Sequence, residues 1–108
     1  MNVLVYITVP DRTLARKIGR ELVAQGLCAG VNMAGPVESV YMWHGAVREA
    51  AEWLLFCQSQ SCRFSRLKEV VLAIHPHVVP CITAWELKDG HAPFMRWISE
   101  NSRGGQCA

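Results

Sequence analysis

The pattern from Leu27 to Trp43 is extended, and after the turn His44-Gly45-Ala46 it returns as a second strand from Val47 to Gln58. Residues 28 to 58 therefore read as one long hairpin. Fully extended, residues 28 to 43 alone span about 50 Å at roughly 3.3 Å per residue, whereas a folded chain of this size has a radius of gyration near ~13 Å. The hairpin must bend or protrude. Gly35-Pro36 interrupts its first arm and suits a bulge or bend within one strand. A protruding tip made of Val40, Tyr41, Met42 and Trp43 exposes an apolar strand edge. Such edges invite pairing with another chain, and closed symmetric assembly is the usual remedy.

The remaining elements arrange themselves around this hairpin. Val3 to Val9 is β-branched and aromatic and stops at Pro10, as a buried strand does. Asp11 is an N-cap for a helix carrying Leu14, Ile18 and Leu22 at helical spacing, closed by Gly26. A second helix starts near Ser61, places Phe64, Leu67, Val71 and Ile74 on one face, and ends at Pro76. Val78 to Leu87, broken by Pro80, reads as a fourth strand. After the turn Lys88-Asp89-Gly90 comes a last short helix with Phe94, Trp97 and Ile98, then a polar tail from Ser102 to Ala108 expected to fray. The order strand, helix, strand, strand, helix, strand is the split βαβ arrangement of an α+β, ferredoxin-like βαββαβ sandwich, here with an extra C-terminal helix. Both main helices should cover one face. The expected organisation is one domain over residues 1–103 with a flexible tail over 104–108.

Composition narrows the function classes. The chain has 108 residues, 51% apolar and 19% charged, which excludes intrinsic disorder. Eleven Lys and Arg against nine Asp and Glu leave a charge of +2, far from the excess of a dedicated nucleic-acid binder. Arg12, Arg16 and Arg20 form a basic ridge on the first helix, but Glu21 shares that polar face, so it reads as solvated. No apolar run approaches the ~20 residues of a membrane span, and no basic, cleavable leader precedes Val3, so the expected location is the cytoplasm. Five cysteines (Cys28, Cys57, Cys62, Cys81, Cys107) without a Cys-x-x-Cys pair argue for mostly free thiols packed as small apolar residues. Phosphate-cradling loops and common hydrolase motifs are missing from the sequence.

Six short motifs fall in order along the chain: Val9-Pro10-Asp11; Gly26-Leu27 followed by Ala29 and Val31-Asn32; Tyr41-x-Trp43-x-Gly45; Leu54-Leu55; His75-Pro76-x-x-Val79-Pro80-x-Ile82; and Trp97-Ile98-x-Glu100-Asn101. Together they resemble the CutA family of divalent-cation-tolerance proteins. The resemblance implies a ferredoxin-like subunit in a homotrimer similar to PII signalling proteins, with copper or another divalent ion as ligand. The sequence departs from that pattern where Gly30 stands at a usual cysteine position and where Val78 and Cys81 replace carboxylates.

In an extended segment His75, His77 and Cys81 share parity, so they are candidate ligands for Cu or Zn, with Cys28 as a further thiol. The competing reading has His75 capping the second helix through a hydrogen bond to a carbonyl, with the thiols packed as apolar groups. Tyr41, Trp43, Trp53 and Trp97 are candidate interface anchors, since aromatic rings bury about 150 to 250 Å² each. The expected partner is the chain itself, with a divalent metal or small ligand at the intersubunit cleft and neither nucleic acid nor membrane. Two rivals stand beside this: a small-molecule enzyme using His75 and Glu52 at that cleft, and an assembly scaffold that has lost its ligand.

Overall fold

The computed structural model describes residues 1–105. Residues 106–108 of the expected tail, including Cys107, lie outside the described residues. Along the chain run β1 (Asn2–Val9), α1 (Arg12–Ala24), β2 (Gly30–Trp43), β3 (Ala46–Gln60), a 3₁₀ turn (Ser61–Arg63), α2 (Phe64–Ile74), β4 (Ile82–Glu86) and α3 (Ala92–Asn101). The strands form one antiparallel sheet in the order β2-β3-β1-β4. This is the ferredoxin-like arrangement that the element order predicts.

Helix α1 starts where Asp11 accepts a hydrogen bond from the Leu14 N–H at 2.8 Å. It ends in a Schellman motif: the Leu27 N–H donates to the Leu22 carbonyl at 2.9 Å and the Gly26 N–H to that of Val23 at 3.0 Å. Ala15, Ile18 and Leu22 of α1, with Leu67, Val70 and Val71 of α2, pack on Val3, Val5, Ile7 and Val9 of β1 and on Leu55 and Cys57 of β3. One sheet face is therefore sealed by α1 and α2. Because strand side chains alternate, Leu4, Tyr6 and Thr8 point to the other face.

The hairpin projects. The molecule measures 43 × 27 × 24 Å, and the register of β2 with β3 shifts between Ala34 and Val37, where the sequence places a bulge. The arms meet at a two-residue turn in which His44 and Gly45 both have positive φ (49° and 76°). That geometry matches the right-handed strand twist, which is why short hairpins prefer it.

Two expectations need correction. The fourth strand begins at Ile82, not Val78: Val78 and Val79 are 89% and 69% exposed in a bend. Pro76 and Pro80 lack N–H donors, and the partner strand β1 has run out, its last contact there being the Thr8 N–H to the Cys81 carbonyl. The tail does not fray at Ser102. Ser102 is buried, its carbonyl accepts from Gln60 Nε2 and Arg63 Nε at 2.8 Å each, and the Gly104 N–H donates to the Gly26 carbonyl at 2.8 Å.

Gly26 thus joins two jobs. Its φ is +68°, and a Cβ built there would lie 2.8 Å from the Gly104 nitrogen. Gly26→Ala should cost on the order of 2 kcal/mol, combining the left-handed backbone penalty with displacement of the tail. Urea unfolding followed by tryptophan fluorescence checks this.

Candidate functional site

The sheet face that α1 and α2 leave open carries an aromatic patch. Tyr6 lies opposite Phe56 of β3 and Thr83 of β4, and Trp85 lies opposite Leu4. The Tyr6 ring stacks on Trp85 (5.6 Å, 19°) and tilts against Phe56 (5.6 Å, 43°), with Trp85 still 50% exposed. Helix α3 covers only one end of this face: Asn2 Nδ2 donates to the Met95 carbonyl at 2.8 Å, Gln60 reaches Ser99 and Ser102, and Trp97 lies over Gly30. A Cβ at Gly30 would come within 3.0 Å of both Trp97 and Gln58 Oε1. The thiol that the family resemblance expects at that position has no room here.

The polar groups gather at the far end of β1. His75 is buried and caps α2, its N–H donating to the Val71 carbonyl at 2.8 Å. Its Nδ1 accepts the His77 backbone N–H at 3.1 Å, so the ring proton sits on Nε2, which donates to the Thr8 carbonyl at 2.8 Å. Both ring nitrogens are spent on backbone. The His77 ring packs 4.8 Å away and is exposed. Burial pushes the Cys81 thiol above its ordinary value, Glu52 adds to the rise, and a hydrogen bond with Thr8 opposes it. Burial likewise raises the Tyr6 phenol, helped by Cys81 and Glu52. Thr8, Cys81, Glu52 and Tyr6 therefore form one electrostatic neighbourhood.

Cys28 is not part of it. It is fully buried beside Cys57, and that hydrogen bond, with burial, pushes its thiol far up. Cys57 pairs with Val5, three residues back along β1 from Thr8, a separation of about 10 Å. A metal needs thiolate and a free imidazole nitrogen, and neither Cys28 nor His75 supplies one. Among the described residues no three His, Cys, Asp or Glu side chains come together as a metal-holding group. The set His75, His77, Cys81 and Cys28 is thus not assembled within one subunit.

The interface candidates are spread out. Tyr41 (43% exposed) and Trp43 lie on the hairpin, Trp43 edge-on to His44 at 4.8 Å. Trp53 is held on the helix side, with the Arg12 guanidinium 5.9 Å from its ring centre and Gly35 against it. Trp97 stacks on Phe94 at 5.4 Å. Sequence reasoning missed Tyr6 and Phe56 as a surface patch. The signal was available in the pairing of Leu4-x-Tyr6-x-Thr8 with Leu54-x-Phe56.

A four-stranded antiparallel sheet with two helices on one face, a partly covered aromatic patch on the other and a projecting hairpin defines a ferredoxin-like α+β protein by class. The model of the CutA1 divalent ion tolerance protein family matches residues 3–101, and the chain belongs to that family. The divalent-cation tolerance protein CutA of Thermus thermophilus is 39% identical over 102 residues, covering 94% of this chain and 99% of the relative. Its solved structure superposes with a TM-score of 0.93. The crystal structure of CutA1 from Oryza sativa gives 0.92 at 31% identity, covering 96% of this chain and 95% of that one. Some relatives are longer, and the chain spans 63% of the Xenopus laevis CutA homolog.

Proposed function

We propose that the chain works as a homotrimeric binding module of divalent-cation tolerance, each subunit laying its open sheet face and hairpin against its neighbours. The observation that carries this reading is the half-covered patch of Tyr6, Phe56 and Trp85, whose sheet face continues along the hairpin to Tyr41, 43% exposed, with Val40 and Met42 exposed on the hairpin's other side. Soluble monomers rarely leave so large an apolar surface open, and a closed ring of copies covers face and edges together. Tyr41, 43% exposed, has more surface to give a neighbour than Trp53, which is half-buried and engaged by Arg12 and Gly35. The setting we propose is the cytoplasm.

For the ion, His77 and Cys81 are the soft donors with an open side. Cu or Zn suits imidazole with thiolate better than Mg or Ca, which require several oxygens. Two donors per chain make the site dependent on a neighbouring copy. The enzyme reading gains no observation, because His75, its base, has no free nitrogen.

Light scattering after size exclusion should give about three times the 12.1 kDa chain mass, and Trp43→Ala should weaken the assembly by on the order of 2 kcal/mol. A stable monomer at micromolar concentration rejects the trimer. Calorimetry with Cu and Zn should show binding that is lost in His77→Ala and Cys81→Ala, while His75→Ala lowers stability first. Unchanged affinity in the first two variants removes both as ligands.

A further inference from the structure

Helix α1 carries charges that its own physics disfavours. Arg12, Arg16 and Arg20 repeat like charge at i, i+4 spacing, and the Asp11 carboxylate at the N-cap, bonded to the Leu14 N–H, meets the helix dipole but lies beyond the ridge. No ion pair offsets this: among the described residues the one salt bridge is Arg66 with Glu69, on α2. Arg12 rests on Trp53, leaving Arg16, Lys17 and Arg20 without a carboxylate partner. Glu21 is the single acid within the helix, and it accepts from Gln25 Nε2 at 2.6 Å. Three cations left without a carboxylate on one exposed helix face point to a role outside the fold.

Beside these cations lies an open groove of about 640 Å³ between α1 and β2. Its floor is apolar: Val23 (42% exposed), Val31 and Met33 (38% exposed). Gly19 in the middle of α1 shapes it, since a Cβ there would meet Met33 Cε at 3.2 Å and Val31 Cγ1 at 3.4 Å. Lys17 and Arg20 stand on the rim with Glu21. Val31 and Met33 pair with Cys57 and Leu55 and so lie on the helix side of the sheet, away from the face proposed for self-assembly.

We propose that this groove docks an acidic, amphipathic peptide segment of a partner protein, its apolar side chain seated on Val23, Val31 and Met33 and its carboxylates on Lys17 and Arg20. Charge complementarity selects the occupant. An apolar floor is of no use to a phosphate backbone, and no aromatic ring lines the groove for base stacking. The width and openness suit a side chain presented by a larger partner better than a small molecule, which needs most of its surface enclosed. Met33 adds an unbranched, adaptable contact of the kind found at peptide-binding surfaces.

The test uses the full chain and a fluorescein-labelled peptide of roughly 12 residues, two central leucines flanked by glutamates, read by anisotropy. Binding is expected, falling steeply toward 1 M salt, where the screening length shrinks to about 3 Å. The double variant Lys17→Glu, Arg20→Glu should weaken it at least about tenfold, and Met33→Gln should weaken it by roughly threefold or more with the salt dependence kept. Circular dichroism should show both variants folded, as expected for exposed positions. No binding, equal binding of the same peptide with serine in place of leucine, or equal binding by the double variant overturns the proposal. So does displacement of the peptide by a single-stranded RNA or by phosphatidylserine vesicles at lower concentration than by unlabelled peptide.

Discussion

Phe56→Lys is expected to leave a folded monomer. Phe56 is half-buried, with Tyr6 as its ring neighbour at 5.6 Å. In an isolated subunit the lysine stem can lie along Tyr6 and Leu54 while its ammonium reaches water. The subunit then loses only part of one ring's burial, about 1 to 2 kcal/mol. Pressed against a neighbouring sheet, the same ammonium is desolvated without a partner, at a cost of several kcal/mol per copy. The mass from light scattering should therefore fall from about three chains to one while the far-ultraviolet spectrum is retained. Trp85→Ala, which truncates the exposed end of the patch, should shift the dissociation midpoint on the order of 2 kcal/mol without abolishing assembly. An unchanged mass for Phe56→Lys moves the interface off this face and returns weight to the hairpin.

Local rules of the chain were enough for most of the fold because its signals are local. Asp11 and Gly26 delimit α1, Gly35-Pro36 shifts the register of the hairpin, and His44-Gly45 adopts the positive φ pair that its turn requires. Where the reading failed, the missing information was tertiary. Val78 and Val79 have strand-forming side chains but face a stretch where β1 has ended, so no ladder forms. Ser102 looks like the start of a polar tail, yet its carbonyl accepts from Gln60 and Arg63 across some forty residues of sequence. The arrangement of the candidate site depends on tertiary information in the same way. Parity along an extended segment would align His75, His77 and Cys81, but the segment bends after Pro76, and His75 turns back to the Thr8 carbonyl. His75 does cap α2, through its backbone N–H to the Val71 carbonyl, while its ring bonds to β1 and not to the helix. Cys28 joins these histidines by family pattern, whereas the turn after α1, in which the Cys28 N–H donates to the Leu22 carbonyl, carries it into the core beside Cys57.

That burial of Cys28 carries an alkaline signature. The hydrogen bond with Cys57, together with complete burial, raises its pKa in the folded chain, so the proton is held there. In the unfolded chain the same thiol ionises near its ordinary value of about 8.5. Below that pH both states carry the proton and Cys28 adds no pH dependence. Above it the unfolded chain binds fewer protons than the folded one, and stability falls as pH rises, by up to ~1.4 kcal/mol per pH unit. Tyr6 and Cys81 shift in the same direction but are more exposed, so their share is small. Between pH 8.5 and pH 10.5 the parent chain should lose on the order of 2 to 3 kcal/mol from Cys28 alone. Cys28→Ala should start about 1 kcal/mol less stable at pH 7, for the lost packing. Its alkaline decline should be shallower by that same increment, so that the two chains converge and then cross. Urea unfolding at pH 7, 8.5, 9.5 and 10.5 measures the difference directly, since the remaining tyrosines, lysines and thiols titrate alike in both unfolded chains. Parallel declines in parent and variant would mean that the Cys28 proton is not held by the fold.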